Sequence, residues 1–161
     1  MPLKVRTSDN KLMSIEDDIV KQVNLFKCII SNASNAKQID SEESAVFLEP
    51  VSLRILRLVI KWCKSHKEDE GELFKGPPHN WRLRQDDKDF FSLYKDEVFK
   101  IQDAADYLQI KPLFDATCVA IADRLRNKDF KEISEEFGIS TCEPLVSAMI
   151  NMHINGSILW L

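Results

Sequence analysis

Residues 53–66 set the hardest constraint on how this chain can fold. Leu53, Leu56, Ile60 and Cys63 recur at helical spacing, with Ile55, Val59 and Trp62 alongside them. A single neighbour cannot cover an apolar stripe that wide, so this helix must sit inside a layered domain and be packed from more than one side. Ser52 stands where a side-chain oxygen accepts from the first turn, and the helix is expected to run from there to about His66. A chain of 161 residues has room for one such domain, or for one with an appendage. Its 44% hydrophobic content is that of a chain able to build a core, which a disordered sequence is not.

The other periodicities supply the neighbours. Residues 3–7 alternate apolar and polar as a half-buried strand does, Asp9-Asn10 has turn chemistry, and residues 12–15 return as a partner strand. Glu16, Asp17 and Asp18 put negative charge where a helix N-terminus favours it. Ile19, Val20, Val23, Phe26, Ile29 and Ile30 then recur at helical spacing, as one helix or two short ones. Residues 31–44 read as a polar loop, and 45–49 as a short strand that Pro50 ends. Residues 67–89, charged and carrying Gly71, Gly76 and Pro77-Pro78, are expected to form a surface loop. Helical patterns follow over 89–93, over 97–108, and from Pro112 to about Arg126. A final short helix is capped by Asp129 and closed at Gly138.

Chemistry is sparse. The net charge is −4, and no basic patch stands out along the sequence, which argues against nucleic-acid binding. Neither glycine-rich phosphate-loop signature occurs. Cys63-x-x-His66 is half of a metal-ligand spacing without a second pair, so no metal is expected and Cys63 reads as a small core residue. The acidic runs 68–70 and 86–87 read as solvated charge rather than catalytic carboxylates, which burial would have to tune. Trp81, beside Arg82 and Arg84, reads as a loop anchor. Cys28, Cys63, Cys118 and Cys142 lie far apart, and neither a secretory leader nor a membrane-spanning run is evident, so reduced thiols are the expectation. No catalytic residue and no cofactor are expected.

The helix that begins at Pro112 is different in kind. Phe114, Cys118, Ile121 and Leu125 fall at i, i+4, i+7 and i+11, while Leu113, Ala116 and Ala120 occupy an adjacent face. A small domain has difficulty covering both. Either all of these residues are ordinary core, or one face, extended by Ile133, Phe137 and Ile139, is a partner surface.

Specific residues then narrow the fold. Leu3-Lys4-Val5-Arg6-Thr7-Ser8-Asp9 and Val59-Ile60-Lys61-Trp62-Cys63-Lys64-Ser65-His66-Lys67 resemble the Skp family, the adaptor subunits of Skp–cullin–F-box ubiquitin ligases. Ala104-Ala105-Asp106-Tyr107-Leu108-Gln109-Ile110-Lys111-Pro112-Leu113-Phe114-Asp115-Ala116-Thr117-Cys118 is similar to that family's A-A-N-Y-L-x-I-K-x-L-L-D-x-T-C, and residues 130–139 to its next helix. The resemblance spans residues 3–139. It implies an α/β (α+β) chain: a BTB/POZ-like domain with a small sheet and helices over 1–111, with the polar loop near 67–89. F-box-docking helices follow over 112–139, and then a divergent tail over 140–161.

The function that the resemblance implies is non-enzymatic. The protein would bridge an F-box substrate receptor to a cullin in ubiquitin-dependent degradation, in cytoplasm and nucleus, with no nucleic acid or membrane as partner. The F-box would rest on Phe114, Cys118, Ile121, Leu125, Ile133, Phe137 and Ile139, the surplus stripe already marked by periodicity. The cullin contact would fall on Asp106 and Tyr107, where the family's asparagine has become an aspartate that only accepts hydrogen bonds. Gln102-Asp103 replaces two apolar residues of the family pattern, and the family's acidic last helix has no counterpart in 140–161, whose only acid is Glu143. Two other readings remain open: a BTB/POZ-like module that self-associates without an F-box partner, and an F-box binder that does not recruit cullin.

Overall fold

The computed structural model describes residues 3–33, 45–68, 74, 76–77, 80–126 and 128–138. Most of the expected loop over 31–44, part of that over 67–89, Ile139 and the tail 140–161 lie outside the described residues. The chain divides into two compact units, Met1–Asp123 and Arg124–Leu161.

In the first unit the alternating N-terminal segment forms the middle of a three-stranded sheet. β1 (Leu3–Thr7) pairs antiparallel with β2 (Leu12–Ile15) and parallel with β3 (Val46–Leu48), in the order β2-β1-β3. Leu3, Val5 and Thr7 point into the core, as period-two alternation requires. Asn10 adopts φ 55°, the left-handed conformation that asparagine tolerates in a tight turn. Asp9 ties that turn to the next layer. Its Oδ1 accepts from the Thr7 hydroxyl at 2.6 Å and from the Leu53 backbone N–H at 2.9 Å, and these bonds hold its carboxyl below the usual carboxylate range.

Of the two arrangements open for the apolar residues 19–30, the chain takes two helices, α1 (Asp17–Val20) and α2 (Asn24–Ala33), and α2 runs three residues into the segment expected to be loop. α3 (Leu53–Ser65) is the central helix. Ser52 caps it, accepting from Ile55 N at 3.5 Å, and Ile55, Leu56, Leu58, Val59, Ile60, Trp62 and Cys63 are all buried. The wide stripe is thus covered from more than one side, by α1 and by α5 (Val98–Tyr107), whose start is joined to α3 by the Arg54–Glu97 ion pair.

The expectation of a surface loop through residue 89 needs correction. Trp81 does anchor the connection, donating from Nε1 to the Gly76 carbonyl at 3.0 Å and stacking on Phe74. The chain then enters α4 (Gln85–Leu93) four residues before the expected start. Leu83, Asp87 and Phe91 are buried at i, i+4 and i+8, so one face of this segment packs inward. The expectation that Asp86-Asp87 is solvated fails for Asp87, which is 1% exposed.

α6 (Lys111–Leu125) follows α5 through Gln109, which holds φ 57° at the junction. The second unit begins with the last residues of this helix. Asp129 starts α7 (Phe130–Phe137) with a full capping box, accepting from Glu132 N at 2.8 Å while Glu132 Oε2 accepts from Asp129 N at 3.0 Å. Gly138 ends it at φ 61°. Glu136 accepts from both Lys128 and Arg124, which keeps its carboxyl below the ordinary range.

Candidate functional site

The two faces of α6 separate as their periodicity predicts. Leu113, Ala116, Thr117, Val119 and Ala120 are buried in the first unit. Phe114, Cys118 and Ile121 are only half-buried, with Phe114 and Ile121 packed at the margin of the core. This stripe is therefore less covered than the face beside it. Leu125 and Ile133, in the second unit, are also half-buried, and Phe130 is 57% exposed. Phe137 closes α7.

α5 contributes the neighbouring face. Phe99 is exposed, Gln102 is half-buried and Asp106 is exposed, at i, i+3 and i+7. Gln102 meets α6 at Cys118, donating from Nε2 to Sγ at 3.2 Å. Sulfur is a weak acceptor, so this bond satisfies the Gln102 N–H only weakly. Tyr107, at the C-terminal end of α5, is 37% exposed, and its neighbour Asp106 lies beside a cleft that Phe114 and Asp115 also line.

The C-terminal end of α3 uses its polar groups differently. Trp62 Nε1 donates to Asp87 Oδ1 at 2.8 Å, and His66 Nε2 lies 3.2 Å from the same oxygen. The other ring nitrogen of His66 sits 2.9 Å from the Trp62 carbonyl, and the two rings stack with centroids 3.7 Å apart. His66 is thereby occupied, and burial pushes the Cys63 thiol up to about 12, well away from the thiolate that metal binding or nucleophilic attack needs. Among the described residues no cluster could hold a metal ion, and no helix is long and apolar enough to cross a membrane. Asp87 is the residue that sequence reasoning missed. Its signal was its place midway between Leu83 and Phe91 on an apolar stripe, obscured by the surrounding charge.

Comparison with known proteins agrees with this architecture. Residues 1–68 match the tetramerisation domain of the Skp1 family, and residues 111–143 match that family's dimerisation domain. SKP1-like protein 3 of Arabidopsis thaliana is 30% identical over 140 residues, covering 84% of this chain and 82% of its own length. A Dictyostelium discoideum protein named SCF ubiquitin ligase complex protein SKP1a is 31% identical over 147 residues, covering 85% of this chain and 83% of its own. Suppressor of kinetochore protein 1 of Schizosaccharomyces pombe is 28% identical over 145 residues, with 85% and 84% covered. With a three-stranded sheet flanked by helices, an open stripe on α6 and relatives of this kind along most of its length, the chain belongs to the Skp1 family.

Proposed function

We propose that this protein is a non-enzymatic adaptor of an Skp–cullin–F-box ubiquitin ligase, acting in cytoplasm and nucleus. It holds the F-box of a substrate receptor and presents it to a cullin, supplying binding surface and no reacting group. The observation that carries this reading is the half-buried stripe Phe114, Cys118 and Ile121, which the first unit leaves incompletely covered. An amphipathic F-box helix laid along α6 would finish that burial, and the anchors would be its few large side chains. Leu125, Ile133, Phe137 and Ile139 extend the contact set along the sequence. Cullin engages the end of α5 at Tyr107, with Asp106 as the modified position beside it.

Co-expression with an isolated F-box domain, followed by sizing and titration with the N-terminal domain of a cullin, tests both contacts. A 1:1 F-box complex that captures the cullin is expected, and Ile121→Glu should abolish F-box capture while the chain stays folded. Asp106→Asn, which restores an amide able to donate and accept, should strengthen cullin capture. An F-box complex deaf to the cullin would convert the adaptor into a holder of F-box proteins. A chain that ignores F-box domains and only self-associates would end the adaptor reading.

A further inference from the structure

The sequence shows no basic patch, yet folding assembles one. A cleft of about 270 Å³ opens in the first unit, where the turn after α1, the first turn of α2, the end of α3 and the start of α6 meet. Lys21, Lys27, Lys67 and Lys111 line it, one from each of these places, and no carboxylate is among its lining residues. Gln22, Asn24 and Gln109 add carboxamides, and buried His66 and Trp62 form the floor. In a chain of net charge −4, four ammonium groups gather around one concavity, two of them paired with carboxylates at its rim.

Two of the four lysines are already engaged at the rim, Lys67 with Asp18 and Lys111 with Asp115. These pairs fix their stems. Lys21 and Lys27 form no ion pair among the described residues; Lys27 Nζ donates only to the neutral Asn24 Oδ1, at 3.0 Å. Lys21 interacts electrostatically with Asp18, which leaves Lys27 as the least compensated ammonium; together with the other lysines and the carboxamides of the lining it suits an anion that carries several oxygens and more than one negative charge. The floor offers no exposed ring for stacking, because Trp62 is 2% exposed and covered by His66.

We propose that this cleft binds a small polyphosphate anion, recognised through its phosphate groups alone. None of the residues assigned to the F-box and cullin contacts lines this cleft, although Asn24, Gln109, Ile110 and Lys111 also line the neighbouring cleft beside Asp106 and Phe114.

The test is calorimetric titration of the full chain with inorganic tripolyphosphate, at low salt and again near physiological ionic strength. Saturable one-site binding is expected, weaker at the higher salt. The paired change Lys21→Gln with Lys27→Gln should weaken it by about tenfold or more, since each removes a charge-assisted hydrogen bond. Lys88→Gln with Lys100→Gln changes the net charge equally on exposed lysines of α4 and α5 outside the cleft, and should leave the affinity unchanged. Circular dichroism of both variants checks that the fold persists. Adenosine triphosphate should bind no more tightly than tripolyphosphate; tighter binding would overturn recognition by phosphates alone. Absence of saturable binding, or equal weakening by the two pairs of substitutions, would overturn the site.

Discussion

The end of α3 and the outer face of α6 are both helical surfaces where polar and apolar groups mix, and they end in opposite states. At the end of α3 each polar group has a partner within the domain: Trp62 and His66 share the Asp87 carboxylate, and Cys63 is sealed in the seam. On α6 the apolar stripe is only half covered, and the polar group beside it, Gln102, spends one N–H on a sulfur. The difference teaches where stability and binding reside in this fold. A cluster whose groups are all satisfied holds the domain together and has little left to offer a partner helix, serving at most as the floor of the lysine-lined cleft. A region left half-satisfied contributes less to folding and keeps its free energy for association.

That contrast can be broken first within α6 itself. Leu113 points into the first unit with no exposed surface, two helical turns before Val119 and Ala120 close the same face. Leu113→Ala should cost about 4 kcal/mol, the transfer of a whole side chain plus the cavity left behind, read as a lowered midpoint in urea denaturation. Asp87→Ala should follow at about 3 kcal/mol, since it strands the Trp62 N–H and a nitrogen of His66 in a closed core. Ile121→Ala, on the open stripe, should cost less, about 1–2 kcal/mol of stability, because that side chain is only partly buried at the margin of the core. The same substitution should weaken F-box capture at least tenfold if the stripe is where association resides. A large stability loss at Ile121 with no loss of binding would collapse the distinction between the two faces.

How much of this was legible beforehand depends on how local each signal is. The two faces of α6, the hairpin, the Ser52 cap and the Asp129 cap all follow from residues a few positions apart, and all stand in the fold as read. The burial of Asp87 was not legible, because its partners Trp62 and His66 lie twenty residues or more earlier across a charged connection. The start of α4 was hidden for the same reason: Gln85, Asp86 and Asp87 look solvated until Leu83 and Phe91 are seen to pack inward. The lysine-lined cleft draws one cation from each of four segments, so no window of sequence contains it. Gln102 was visible as a polar residue needing a partner, but only packing shows that the partner is Cys118.

The smallest expected effect concerns a third kind of polar contact, neither sealed like Asp87 nor left open like Gln102. Asp9 sits at the surface, yet it bonds the Thr7 hydroxyl and the Leu53 backbone N–H and so joins the hairpin turn to the first turn of α3. The Thr7 hydrogen bond, then that from Leu53, favours the ionised form and lowers its carboxyl in the folded chain. A carboxyl lowered by folding contributes stability that is present above its unfolded value and is lost as pH falls through its folded value. Stability should therefore drop slightly as the solution is acidified through and below the ordinary carboxylate range. Asp9→Asn keeps an oxygen acceptor but has no charge to titrate, so its deficit against the natural chain should be present at neutral pH and shrink on acidification. Urea denaturation across that range checks both halves of the claim. A deficit that stayed constant with pH would mean that the turn is held by the shape of its hydrogen bonds alone, and that the charge on Asp9 contributes nothing to the join between sheet and helix.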